Sequence, residues 1–420
     1  MAPGNRRDRE RSAVSRPTDP AALAAWRSDT PGCERLVHLN NAGAALSPTP
    51  VRLAVTGHLA LEQEIGGYEA AETRADAIQG AYVALGRLLG TSAKNLAMLQ
   101  NSTIAFAQAF AAFDLGPGDL ILTSRADYAS NQIMYLALER RRRVETVRAP
   151  DASEGGIDPQ AVRELVARRR PSLVALSWIP TNSGLVQPAE AIGEICRDAG
   201  VPYIVDACQV VGQLPIDVSR LHCDYLAAAS RKFLRGPRGA GFLYVSDRAL
   251  AAGAYPWTVD MHGATWTDAD DFTLTPDARR FESWEFSHAL VLGIGAAAEY
   301  ALQVGVEAAR ERSWALAAYA RERMAAIENV RVLDRGPALC AIATAELGAR
   351  PSERVKLALR ARGINTSSPD RTDAVIDMDE KRAVSAIRVS PHYYNTADEI
   401  DTAVEALREV LKEIEPTSRA

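Results

Sequence analysis

From about Ala45 to Tyr255 short apolar runs alternate with stretches whose apolar residues recur at helical spacing. "NLAMLQN" precedes "STIAFAQAFAAF", "DLILTS" precedes "ASNQIMYLALERRRR", and "SLVALSW" precedes "PAEAIGEICRDAG", with "PYIVDA" and "DYLAAAS" following. This alternation predicts an α/β fold, a mostly parallel sheet with helices on both faces. Ligands of such sheets bind at the carboxyl ends of the strands. After roughly Gly295 the pattern changes: "AAAEYALQVGVEAARERSWALAAYARERMAAIENV" reads as long helix, with short strands near "RVLD" and "ALCAIATA". In "TADEIDTAVEALREVLKEIE", Ile400, Ala403, Val404, Leu407, Leu411 and Ile414 share one helical face, and Thr396 is the expected N-cap. The expected division is a disordered arm over 1–28, a segment over 29–44 joining the small domain, a large domain over 45–295 and a smaller α+β domain over 296–420. A chain of 420 residues is too long for one small core.

Composition narrows the possibilities. A net charge of −5 with 24% charged residues gives no basic face, so no nucleic-acid partner is expected. No apolar run reaches membrane-spanning length, so no membrane partner is expected either. "MAPGNRRDRERSAVSRPTDP" lacks the apolar core of a secretory signal. The five cysteines (Cys33, Cys196, Cys208, Cys223 and Cys340) show no close pairing, which predicts reduced thiols and a cytoplasmic protein. The six histidines lack ligand spacing, so no metal site is expected.

Candidate chemistry gathers around one lysine. "DYLAAASRKFLRGPRGAGFLYVS" places Lys232 between an apolar strand and a turn punctuated by Gly236, Gly239 and Gly241. Lysine, unlike arginine, can shed its proton and act as an amine nucleophile; snorkelling from a strand end is the alternative. Asp206 closes the strand in "PYIVDACQ", where a carboxylate needs a positive partner such as a protonated ring nitrogen, or else caps a helix. Gln209 lies three residues on. Ser102 and Thr103 stand at a helix start, suited to capping, to a phosphate, or to both. Asn182 in "WIPTNSG" is aimed at the same crevice, and Tyr128 in "RADYASNQ" offers a flat ring. Pyridoxal phosphate asks a protein for this set: a Schiff-base lysine, an acid for the pyridinium and a phosphate site.

In these motifs the chain resembles fold-type I pyridoxal-phosphate enzymes of the class V aminotransferase family, on the cysteine desulfurase and isopenicillin N epimerase side. The likeness runs from about Leu36 to Leu411 and includes "VHLNNAGAALSP", "NST", "TNSG", "DACQ", "SRKFLRGPRGAGFLYV" and "IRVSPHYYNTADEID", in the family's order. It implies pyridoxal 5'-phosphate linked to Lys232, with Asp206 on the ring nitrogen and Gln209 and Asn182 near the phenolic oxygen. It also implies Ser102 and Thr103 at the phosphate, Arg231 in place of a histidine common before the lysine, and Arg388 on the substrate α-carboxylate. Asn41, Ala42 and Gly43 would border the substrate.

Two departures bear on the reaction. Desulfurases carry a catalytic cysteine on a loop before the carboxylate-binding arginine, and "RARGINTSSPDRTDAVIDMDEKRAVSAIR" has none. In "RFESWEFS", Trp284 and Glu285 replace a glycine and the threonine that reaches a phosphate across the dimer interface, leaving Gly263 and Thr265 of "MHGATW" to supply that contact. "RKFLRGPRG" and "RFESWEF" resemble the branch of ergothioneine-type sulfoxide lyases and lincosamide-pathway enzymes, whose substrates are bulky S-conjugated cysteines. The resemblance implies a C–S β-lyase, acting as a homodimer on a small cysteine conjugate in sulfur natural-product biosynthesis. The competing reactions are decarboxylation-coupled oxidative deamination, transamination and epimerisation. Tyr68, Trp257, Trp266 and Trp284 are expected to line a pocket for a large leaving group.

Overall fold

The computed structural model describes residues 19–416. Residues 1–18 of the expected disordered arm lie outside the described residues, but the rest of that arm is not disordered: Pro20–Ser28 is a helix. Asp19 caps it by accepting from the Ala21 N–H at 2.9 Å, and Pro20 opens it where a missing N–H costs nothing. The helix is tied down by Arg27, whose Nη1 donates to Glu399 at 2.8 Å and to the Tyr394 carbonyl at 3.0 Å.

A short strand, β1 (Val37–His38), precedes a seven-stranded sheet. The sheet contains β2 (Leu96–Leu99), β3 (Leu120–Thr123), β4 (Glu145–Arg148), β5 (Leu173–Ser177), β6 (Tyr203–Asp206), β7 (Tyr225–Ala229) and β8 (Gly241–Val245). Its spatial order is β2-β8-β7-β6-β5-β3-β4, and only β8 runs antiparallel to its neighbours. This is the mostly parallel sheet that the sequence pattern predicted. The strands read as unbroken apolar runs because alternate residues enter different cores. On one face Leu122, Val174, Leu176, Val205, Leu226 and Ala228 join the helices Ala75–Leu89 and Ala189–Ala199. On the other, Ile121, Leu173, Ala175, Ile204 and Ala227 pack with Phe106, Phe110 and Tyr135.

A hairpin, β9 (Ala264–Asp268) and β10 (Asp271–Leu274), follows. The single long helix read from the sequence is in fact two, His288–Val304 and Val306–Ala325. Gly305, at φ 82°, breaks it in a conformation that L-residues rarely adopt. Beyond it a three-stranded antiparallel sheet pairs β11 (Arg331–Val332), β12 (Ala343–Glu346) and β14 (Ile387–Val389), while β13 (Ile364–Asn365) pairs with β1. The last helix, Ala397–Glu413, carries the expected cap: Thr396 Oγ1 accepts from the Glu399 N–H at 3.2 Å. Its apolar stripe is buried against Leu316, Ala320 and Met324.

One buried cation holds the N-terminal segment to the rest. Arg235, 1% exposed, donates to Thr30 Oγ1 at 2.6 Å, the Leu46 carbonyl at 2.9 Å and Tyr393 Oη at 2.6 Å, and stacks on Tyr394. Deleting the guanidinium strands all three acceptors in a dry site. Arg235→Ala is therefore expected to destabilise the protein by at least ~3 kcal/mol, and Thr30→Val by about 1 kcal/mol, in urea unfolding.

Candidate active site

The turn after β7 is closed on itself. Ser230 N–H bonds the Ala240 carbonyl at 3.1 Å, Ser230 Oγ bonds the Pro237 carbonyl at 2.7 Å, and Gly236 N–H bonds the Ser230 carbonyl at 2.8 Å. Phe233 and Leu234 are buried and anchor it. Gly212, at φ 92°, underlies the turn, and a Cβ there would sit 2.3 Å from the Phe233 carbonyl oxygen. Lys232 is thereby held in place, 6% exposed, with Nζ 5.7 Å from the centroid of the Tyr128 ring. Burial holds its ammonium below the usual lysine range; Cys208 and Asp206 act in the opposite direction, while Arg231 and Arg388 add to the lowering.

Asp206 ends β6 and pairs in register with Ser177, the last residue of β5. Its Oδ1 accepts from the Cys208 N–H at 2.9 Å and its Oδ2 from Asn131 Nδ2 at 3.0 Å. Residues 208–213 form turns, so this carboxylate caps no helix. Nor do Ser102 and Thr103 cap theirs. That task falls to Asn101, whose Oδ1 accepts from the Ile104 N–H at 2.9 Å. Ser102 is buried and its hydroxyl meets the Cys208 thiol, whereas Thr103 is exposed. A Cβ on Gly241 would lie 2.7 Å from the Asn101 carbonyl carbon and 2.8 Å from the Ala228 carbonyl oxygen, so glycine lets this helix start press against β7 and β8.

A third group meets at Thr181. Its carbonyl accepts from Arg388 Nη1 at 3.0 Å and its hydroxyl from Gln209 Nε2 at 3.1 Å. Arg388 Nη2 donates to Asn40 Oδ1 at 3.2 Å, and burial pushes the guanidinium down to about 10. Buried polar atoms without a partner among the described residues include Arg388 Nε, Asn182 Oδ1 and Gln209 Oε1. Gln209 Nε2 also donates to the Ala42 carbonyl at 3.1 Å, which sets the amide so that its oxygen stays unpaired.

Asn41 is used otherwise. Its amide donates to the Ser390 carbonyl at 2.8 Å and accepts from Tyr394 Oη at 2.5 Å, pinning the segment from within. Asn40, Thr181, Asn131 and Ser177 are members of the site that sequence reasoning passed over. The strand-end position of Ser177 was legible, but its pairing with Asp206 depends on sheet order.

Gly263, Thr265 and Trp284 make their contacts elsewhere. A Cβ on Gly263 would meet the Arg280 carbonyl oxygen at 2.7 Å, and Thr265 pairs with Thr273 across the hairpin. Trp284 lines a cleft of about 480 Å³ with Tyr68, His262, Phe286 and His288. There His262 Nε2 lies 2.8 Å from the buried Glu282 carboxylate, which raises the imidazole's pKa. The expected aromatic set divides: Trp257 lines a different cleft, with Tyr225 and Arg248, and Trp266 stands 79% exposed on β9.

The sequence pattern of the class-V aminotransferases matches residues 37–403. The chain belongs to that family. The class-V chain is 25% identical over 393 residues to a probable cysteine desulfurase of Methanothermobacter thermautotrophicus, covering 91% of this chain and 97% of the relative. It is 26% identical over 400 residues to a probable hercynylcysteine sulfoxide lyase of Mycobacterium tuberculosis, covering 94% and 95%. Its fold matches a cysteine desulfurase structure from Escherichia coli with a TM-score of 0.84 at 23% identity, over 94% of this chain and 99% of that one. It is an enzyme, and its cofactor is pyridoxal 5'-phosphate. The residues present fit that group: a buried amine of lowered basicity, a strand-end carboxylate, a helix start, an aromatic ring beside the amine, and unpaired amide and guanidinium atoms.

The lowered Lys232 pKa has a measurable consequence in the cofactor-free protein. Between that lowered value and 10.5 the unfolded chain holds the extra proton and the folded chain does not. Stability contributed by this group therefore rises with pH across that window. Lys232→Met is expected to remove this slope, seen as a wild-type minus variant difference in unfolding free energy that grows as pH rises toward 10.5.

Proposed function

We propose that this class-V enzyme is a C–S β-lyase acting on an S-substituted cysteine, releasing a thiol or sulfenate together with pyruvate and ammonia. The observation that carries the reading is the segment between Arg360 and Arg388. It contains no cysteine, and it is folded: Asp370 and Asp373 form a capping box and Val375–Glu380 a helix. The thiols elsewhere are held protonated. Burial pushes Cys33 and Cys208 up to about 11 and Cys196 and Cys340 up to about 12, and raises Cys223 as well. Accepting sulfur as a persulfide needs a thiolate. The relative named as a probable hercynylcysteine sulfoxide lyase supports the same reading.

Pyridoxal phosphate bound here supplies an electron sink for the pair left at Cα. Lys232 anchors it and takes the Cα proton, a task helped by an amine already biased toward its neutral form. Asp206 keeps the ring nitrogen protonated. The helix start at Ser102 and Thr103 takes the phosphate. Tyr128 would stack on the ring, Asn182 and Gln209 would line its phenolic side, and Arg231 would flank the anchor. Gln209 offers its oxygen there, which suits a protonated group rather than a bare phenolate. Arg388, cationic at neutral pH and steadied by Thr181 and Asn40, holds the α-carboxylate, while Ala42 and Gly43 border the substrate.

The working unit in this reading is a homodimer, in which Gly263 and Thr265 complete a neighbouring phosphate site. Support comes from Tyr68, Met261, Trp266 and Trp284, which are 73%, 70%, 79% and 48% exposed. Light scattering is expected to give twice the 45.3 kDa chain mass, and a fully active monomer would refute the arrangement.

Product identity tests the reaction. From a cysteine thioether or sulfoxide labelled in its carboxyl carbon, the label is expected in pyruvate. Label released as carbon dioxide would mean decarboxylation-coupled deamination. A 2-oxo acid still bearing its sulfur substituent would mean transamination. Arg388→Ala is expected to raise KM tenfold or more, since each charge-assisted contact is worth about 1.5–3 kcal/mol.

A further inference from the structure

We propose that Asn131 is a positioning residue that fixes the Asp206 carboxylate, anchored from behind by Asp127 and Ser177. The inference rests on reading Asp206 as the partner of the cofactor's ring nitrogen. The four residues come from three segments and are all buried: Asp127 6%, Asn131 3%, Ser177 1% and Asp206 5% exposed.

Asn131 Nδ2 stands between two carboxylates. It lies 3.0 Å from Asp206 Oδ2, 3.2 Å from Asp127 Oδ1 and 3.3 Å from Ser177 Oγ. The Ser177 hydroxyl donates to Asp127 Oδ1 at 2.5 Å and has Asp206 Oδ2 at 3.5 Å. Asp127 cannot turn away. Its Oδ1 also accepts from the Tyr128 N–H at 2.7 Å, and its Oδ2 from Thr123 Oγ1 and Gln132 Nε2, each at 3.1 Å. Gln132 is held in turn by Arg148, whose Nε donates to its Oε1 at 2.7 Å.

Two carboxylates sharing one amide in a dry site repel each other, and the arrangement survives only where donors and a positive group share the charge. Burial raises the Asp127 pKa and the nearby Asp206 acts in the same direction, while the donated hydrogen bonds from Ser177, Tyr128 and Gln132 oppose that shift. The hydrogen bonds donated to Asp127 favour its ionised form against the effect of burial, and an ionised Asp127 would place negative potential behind Asp206, favouring a proton in front of it. With Oδ1 held by the Cys208 N–H and Oδ2 by Asn131, Asp206 cannot swing aside from a ring nitrogen. The pair Asn131–Asp206 thus acts as one unit, Asn131 setting geometry and Asp127 setting charge.

A double-mutant cycle on the holoenzyme tests this, reading the cofactor dissociation constant and the pH midpoint of its visible band. Asn131→Ala is expected to weaken cofactor retention roughly tenfold to a hundredfold, the range carried by a hydrogen bond to a charged group. It should move the pH midpoint in the same direction as Asp206→Asn does, and Asp127→Asn, which keeps the shape and drops the charge, should follow. In an Asp206→Asn background, Asn131→Ala should add less than about twofold, because it has nothing left to position. Equal loss of retention in both backgrounds would show that Asn131 serves only the fold, and would overturn the proposal. Should Asn131→Ala fail to fold, Ser177→Ala gives the same comparison with one hydroxyl removed. An Asp206→Asn variant unchanged in both readouts would instead overturn the reading of Asp206, whereas a changed Asp206→Asn beside an unchanged Asn131→Ala would sink this inference alone.

Discussion

Both faces of the central sheet are sealed by apolar side chains, and a polar group placed there without partners would cost free energy that nothing in the core returns. The carboxyl ends of the strands are where that constraint relaxes. Between β3 and β5 the chain reverses its direction of travel across the sheet, the place where folds of this kind receive their ligands. Tyr128 follows β3, Thr181 and Asn182 follow β5, Asp206 ends β6 and Lys232 follows β7. The site is where it is because only there can charge be gathered beside a dry core.

Gathering charge out of water then sets the chemistry. Lys232 and Arg388 are both buried, and both have their basicity lowered by burial. For lysine this favours the neutral amine. For Arg388 the ordinary value is high enough that a cation remains at neutral pH, held by oxygens of Thr181 and Asn40 with Nε left over. The same physics acts differently on two side chains, biasing one toward its neutral form while the other stays charged. Arg235, a third buried cation, has hydroxyl, carbonyl and aromatic partners, and it fastens the turn that carries Lys232 to the N-terminal segment.

The thiols obey the same rule with the opposite result. Burial favours the neutral form of an acid, so each cysteine is pushed away from the thiolate state. The segment ahead of Arg388 has serines, acids and a short helix in place of a thiol. A class-V scaffold with this lysine, aspartate and arginine but no thiol in that segment fits the proposed β-lyase reading, in which the sulfur substituent would leave to solvent.

Much of this was legible in the residue order. The alternation of strand and helix patterns gave the mostly parallel sheet, because covering both faces of a strand demands unbroken apolar runs. Lys232, Asp206 and Asn182 stood out because charged or amide groups at strand ends need a reason, whereas Arg388 was found only through the resemblance of its motif to the class V family. Local rules also placed the Thr396 cap, since a capping hydroxyl and its amide lie within one turn. Other features depended on residues far apart in sequence. Asn131 meets Asp206 across 75 positions and Arg388 meets Asn40 across 348, and no local pattern encodes those encounters. Asn41 was expected beside the substrate and is instead enclosed by Ser390 and Tyr394, while Trp257 and Trp284 fall in separate clefts. Propensity and periodicity act over a few residues, so the sequence by itself determined which elements form and which side chains sit at their ends. Which of those ends face one another is set by strand order and register, and only the packed tertiary structure decides that.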